Sequence, residues 1–294
     1  MEVSSAAPAI LTGNAPRMQM VDSFIAFICE VNELLQQELD LSPANQQVTN
    51  IIRRFLNQLR SHYLPEEVEA VLSNEYIRMN QKKLQDKLSE AEYLVELGDS
   101  RRIRESENSV LEMITRLPNW NIYKALVSEE LSVLSRFTHQ DSAKSPIVFV
   151  GSGPLPLSPI MLHLYGDVEV ICVEKDAAAY DASSSLLERM GLGSKVSVVL
   201  VNGAQFDYSA YSRIFVASLV INKREVLEQI SHTSPDPLVA IRTAEGMKQI
   251  MYEAIDESQL NKQGWQIVGR THPKENLVIN STLFLDRFHN SNHS

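Results

Sequence analysis

The chain has 294 residues and 44% hydrophobic content, enough for one large domain or two modest ones around a sizeable core. A formal net charge of −10 argues against a nucleic-acid partner, since phosphate binding draws on clustered basic residues, and Arg53-Arg54 and Arg101-Arg102 read as solvated helix faces. Cys29 and Cys172 have no metal-ligand spacing, no apolar run approaches the ~20 residues of a membrane span, and Met1 to Arg17 has no signal-peptide pattern, so no metal, no membrane and a cytoplasmic location are expected.

From Met18 to Phe137 the apolar residues recur at three and four, the helical period. Val21, Phe24, Ile25, Ile28, Val31 and Leu35 form one stripe. Ser42-Pro43 opens a second helix whose buried face is Val48, Ile51, Ile52, Phe55, Leu56 and Leu59. Glu66 to Leu97 repeats the pattern less cleanly, and two more helices are expected over Arg101 to Arg116 and Asn119 to Phe137.

A polar linker, His139 to Pro146, then gives way to alternating strands and helices. The predicted division is a helical domain over residues 1–140 and a second domain over 141–294. Ile147 to Val150, Val168 to Val173, Val196 to Leu200, Ile214 to Leu219 and Leu238 to Ile241 are short and rich in Val and Ile, as strands buried on both faces are. A helix over Glu245 to Ile255 precedes two last strands, Trp265 to Val268 and Val278 to Phe284. The expected class is α/β: an N-terminal helical bundle plus a Rossmann-like, class I methyltransferase-like, mostly parallel sheet.

In such a sheet the first strand-to-helix turn is the usual nucleotide turn. Here it is Gly151-Ser152-Gly153-Pro154-Leu155, whose glycines permit close backbone approach to a ligand. Pro154 and Pro156 each remove an N–H that a pyrophosphate would use, and the third glycine of GxGxxG is absent. A cofactor without phosphate, S-adenosylmethionine, fits better, with Glu174 at the end of the second strand accepting from its ribose hydroxyls. Asn202-Gly203 follows the third strand, where Asn202 either meets the adenine or serves the turn.

Phe149-Val-Gly-Ser-Gly-Pro-Leu-Pro-Leu-Ser158 resembles the hallmark FVGSGPLPLT of the nicotianamine synthase family. Thr271 to Ser281 is similar to the family's HPxxxVINS segment, Ile241 to Tyr252 to its RTxxGxRxxLY segment, and Leu117 to Tyr123 to its FPYYNNY turn. Glu105 to Thr115 follows its EAEG helix. Gly203, near where relatives often carry Asp, and Trp120, in the tyrosine-rich turn, depart from the pattern. The resemblance implies transfer of 3-amino-3-carboxypropyl groups from S-adenosylmethionine, consumed as a substrate, to an amine, with release of methylthioadenosine. Three such units make nicotianamine, a metal chelator.

An ammonium must lose a proton before it can attack, so a carboxylate base with an unfavourable environment for its charge is required. Glu107 lies four residues from both Ile103 and Leu111, on the apolar face of the helix expected after Arg101, and it coincides with the family's catalytic glutamate. Glu105 takes the role if the helix is turned. Tyr123 would orient the amine or relay its proton. Arg242 either binds a substrate carboxylate or pairs with Glu245, and Glu130 either holds a substrate ammonium or serves packing. Two alternatives stay open: a transferase that uses another amine as acceptor, and a non-catalytic S-adenosylmethionine-binding module. The sequence leaves the oligomeric state undetermined.

Overall fold

The structure is a computed structural model that describes residues 14–137, 145–273, 277–278 and 280–288. The linker after residue 137, much of the segment expected to read HPxxxVINS, the N-terminal stretch before residue 14 and the polar tail lie outside these residues. Six helices come first: α1 (Asn14–Gln37), α2 (Gln46–Leu59), α3 (Pro65–Leu72), α4 (Glu75–Glu105), α5 (Val110–Thr115) and α6 (Trp120–Leu134). The α2 stripe is buried as its spacing predicts, through Val48, Ile51, Phe55 and Leu59. It starts after Asn45 rather than at Pro43, because the Asn45 side chain accepts from the Gln47 and Val48 amides.

The less regular pattern from Glu66 to Leu97 divides between α3 and α4. Asn74 caps a new helix by accepting from Ile77 N, and that helix runs through Arg101 without a break. It stops instead at Glu105. Arg189 reaches across to the carbonyls of Ile103 at 2.5 Å, of Ser106, and of Asn108 at 3.4 Å, satisfying the exposed C-terminal end with a cation. Ser106 Oγ also accepts from the amide of Asn108, so local side-chain bonding replaces the next helical turn.

The second half alternates: β1 (Ile147–Val150), α7 (Leu157–Gly166), β2 (Val170–Glu174), α8 (Ala177–Arg189), β3 (Val196–Leu200), β4 (Arg213–Val216), α9 (Lys223–Thr233) and β5 (Leu238–Thr243). A turn of 3-10 helix, Gly246–Ile250, replaces the longer helix expected there, and α10 (Glu257–Leu260), β6 (Trp265–Arg270) and β7 (Ser281–Arg287) complete the order. The sheet runs β3-β2-β1-β4-β5-β7-β6. β1 pairs in parallel with β2 on one side and β4 on the other, and β7 runs antiparallel to both β5 and β6. Strand order therefore reverses at β1, and the crevice at its carboxyl end is the ligand position such sheets provide.

Among the described residues the buried cores draw on both halves of the chain. α1 to α4 share a core with Met247, Ile250 and Met251 after β5, whereas α5 and α6 contribute Val110, Ile114, Trp120 and Val127 to the core on one face of the sheet. α4 belongs to both, since Ile103 at its end is in the sheet's core.

Candidate active site

A cavity of about 910 Å³ opens between α4, α6 and the carboxyl ends of β1, β2, β4 and β5. That lies near the upper end of the roughly 300–1,000 Å³ usual for small-molecule sites. Its floor is the turn after β1. Gly151 and Gly153 have φ of +80° and +69°, which side-chain-bearing residues rarely adopt. A Cβ on Gly153 would also meet Glu96 Oε2 at 2.8 Å. Ser152, Pro154 and Leu155 are buried in the same wall. The turn is fixed from below by Glu174, whose Oε2 accepts from Gly153 N at 2.9 Å while Oε1 accepts from the amides of Lys175 and Asp176.

Across the open side runs α4. Its contacts follow the order of the strands beneath it: Gln81 and Gln85 donate to the Gln249 carbonyl after β5, Tyr252 donates to Glu92, Glu96 overhangs the β1 turn, and Tyr93 donates to Asp176 after β2 at 2.8 Å. Ser100 bonds Ala182 of α8 beyond.

Two carboxylate–phenol pairs therefore stand one helical turn apart. Tyr123 Oη, from α6, lies 3.5 Å from Glu96 Oε1, at the outer limit of a hydrogen bond. Tyr252 Oη donates to Glu92 Oε2 at 3.1 Å. Burial holds the Glu96 carboxyl well above the usual carboxylate range, and the neighbouring Glu92 charge adds to this. Burial raises Glu92 too, against the hydrogen bond from Tyr252. Burial and these carboxylates keep both phenols protonated, as donors. Such an environment is unfavourable to carboxylate charge until a cation enters, and a sulfonium or an ammonium supplies one.

The expected site residues fare unequally. Tyr123, the Gly151 to Leu155 turn, Glu174, Asn202, Gly203 and Arg242 all line the cavity. Glu107 does not: it sits in the break after α4, exposed, because the helix expected to bury it ends two residues earlier. Glu105, the last residue of α4, is also exposed and lies 3.7 Å from Arg104. Neither is in the cavity wall.

Arg242 pairs with Glu130 rather than Glu245, through two bonds of 2.9 and 3.0 Å, and its Nη2 also donates to Ser158. Glu130 is completely buried, takes a further bond from Thr282 Oγ1 at 2.7 Å and is outside the cavity wall, the placement of a packing and pairing residue. Glu245 takes Arg270 instead. Asn202 uses Oδ1 to close its own turn on Ala204 N. At Gly203 a Cβ would come 2.6 Å from Val150 Cγ1, so this position has no room for a side chain. The carbonyl of Gly203 accepts from Tyr208.

Sequence reasoning missed Glu92, Glu96, Tyr93, Tyr252 and Asn280. The signal for the first two was present. Leu84, Leu88, Glu92, Glu96 and Ser100 are a period-four row in which two carboxylates occupy the places of an apolar stripe.

The family model described as nicotianamine synthase protein matches residues 17–292. Nicotianamine synthase 2 of Arabidopsis thaliana is 25% identical over 285 residues, covering 90% of this chain and 87% of the relative. Among solved structures, a glutamate-to-glutamine mutant of MtNAS in complex with S-adenosylmethionine superposes with a TM-score of 0.77 at 20% identity, covering 90% of this chain and 98% of that one. MtNAS in complex with MTA and tNA gives 0.75 at 20% identity, with the same coverage. At that identity these likenesses establish the fold.

Proposed function

The chain belongs to the nicotianamine synthase family, and we propose that its cavity transfers 3-amino-3-carboxypropyl groups from S-adenosylmethionine to an amine, releasing methylthioadenosine, with nicotianamine as the product. One observation carries the chemical part of this reading: Glu96, a carboxyl made reluctant to ionise, stands directly over the Gly153 turn. A base with a raised pKa, within reach of the donor's reacting carbon, is what amine alkylation requires and methyl transfer to many acceptors does not.

The β1 turn carries the donor's methionyl part, Glu174 the ribose diol, and Asn202 the adenine edge beside it. Its prolines cost nothing here, because the donor has no phosphate to seek their missing N–H groups. Glu96 removes the proton from the attacking nitrogen. The N–Cγ bond forms as the Cγ–S bond breaks, and the electron pair stays on sulfur as a neutral thioether. Tyr123, held protonated, steadies the Glu96 carboxylate through its hydroxyl. The 3.5 Å separation is of the kind that shortens when substrate closes a site. Because α4 and α6 cover the sheet edge, the reacting carbon is shielded from water that would compete with the amine. A reducing, cytoplasmic setting suits Cys29 and Cys172, both free thiols.

The test is incubation of the purified protein with S-adenosylmethionine alone, followed by mass spectrometry. Methylthioadenosine with nicotianamine is the expected outcome. Turnover only after another amine is added would reassign the acceptor, S-adenosylhomocysteine would mean methyl transfer, and binding without turnover would leave a binding module.

A further inference from the structure

The mechanism above uses one of the two carboxylate–phenol pairs. The other, Glu92 with Tyr252, lies on the β5 side of the cavity, away from Glu174. The donor's adenosine occupies the β2 side and its methionyl part the β1 turn, so on this functional reading the β5 side is left to the acceptor. Three features there point to an amino-acid ligand. Glu92 is a carboxylate with no cation paired to it among the described residues. Asn280 Oδ1 is buried and has no hydrogen-bond partner among the described residues, while its Nδ2 is committed to Ser218 Oγ at 2.7 Å, and both residues line the cavity. Arg242 reaches the cavity wall with its bonds running through Nε and Nη2, which leaves Nη1 to meet a carboxylate.

The spacing narrows the ligand. Glu92 and Glu96 are four residues apart on one face of α4, so their carboxylates stand roughly 6 Å apart along the axis. A transferred 3-amino-3-carboxypropyl unit sets its own ammonium three carbons from the nitrogen it was attached to. Four bonds of about 1.5 Å span about 5 Å when extended. An acceptor that already carries one unit is thus a 1,3-diamine whose two nitrogens match the two carboxylates. A first acceptor with a single nitrogen offers only one ammonium to the two carboxylates.

We propose that Glu92, held by Tyr252 and aided by Asn280, receives the ammonium of an acceptor already extended by one unit, and so governs the second and later transfers. This rests on the functional reading above. In each later transfer the nitrogen facing Glu96 gives up its proton there, its new bond to Cγ replaces the Cγ–S bond, and methylthioadenosine leaves, while the other nitrogen stays protonated on Glu92. Half-buried in the cavity wall, with no cation paired to it among the described residues, Glu92 resists ionisation in the ligand-free protein through desolvation, and an arriving ammonium reverses that.

The experiment compares wild type, Glu92→Gln, Tyr252→Phe and Glu96→Gln with S-adenosylmethionine, following one-unit and longer products by mass spectrometry. Glu92→Gln is expected to raise the ratio of one-unit to longer products by about tenfold or more, the effect of losing a charged hydrogen bond. Tyr252→Phe shifts it the same way by less, and decides the matter if Glu92→Gln fails to fold. Glu96→Gln lowers all products together. A wild-type ratio in both Glu92→Gln and Tyr252→Phe, or a proportional loss of all products in Glu92→Gln, would overturn the role of Glu92. Wild-type protein that releases no methylthioadenosine would overturn the functional reading itself.

Discussion

The carboxyl of Glu96 is pushed up first by burial and then by the negative charge of Glu92 one turn away. As the base, it acts only when ionised. Activity is therefore expected to rise with pH through a limb lying above the ordinary carboxylate value of 4.5. Removing the neighbouring charge lowers that pKa, so Glu92→Gln moves the acidic limb of the pH–rate profile to lower pH. A limb that stays in place would remove the coupling between the two carboxyls. Stability follows with the same sign. A carboxyl whose folded pKa is raised favours folding while protonated, so its contribution is complete below the unfolded value and is lost as pH rises through the folded one. Thermal unfolding of the ligand-free protein measured across that window checks this independently of turnover.

At the scale of elements, the clamp between α6, α7, β5 and β7 is the clearest case of a residue recast by its surroundings. Arg242 and Glu130 form a buried bidentate pair, with Ser158 and Thr282 completing it, and the guanidinium lies over the Phe149 ring, 5.4 Å from its centroid. Arg242→Ala leaves Glu130 charged, buried and without its cation, which is expected to cost about 3–5 kcal/mol of stability in denaturant unfolding. Unfolding at the wild-type midpoint would mean that the pair contributes little. The strand pattern and the β1 turn could be read from the chain because short Val- and Ile-rich runs and a Gly-x-Gly-Pro turn are local signals. The base could not be read from the same rule applied to the same helical half. Glu107 satisfies the periodicity of a helix that Arg189, far along the chain, ends by bonding the carbonyls of Ile103 and Ser106. Glu96 meets the same periodicity in the less regular stretch from Glu66 to Leu97. Only the break after Glu105 separates the two cases, and it is made by a distant residue.

For the whole molecule, α4 is the element that turns two cores into one site. It begins in the helical core, crosses the carboxyl edge of the sheet from β5 to β2, and finishes in the core on the sheet's face. The donor's half of the cavity comes from the sheet and the base comes from the helix above it, so binding and turnover are separable by mutation. The most direct measurement is of Glu96→Gln, with S-adenosylmethionine binding followed by calorimetry and methylthioadenosine release by mass spectrometry. Retained binding with release slowed roughly 100- to 10,000-fold is the predicted result. Release at the wild-type rate would contradict the assignment of Glu96 as the base.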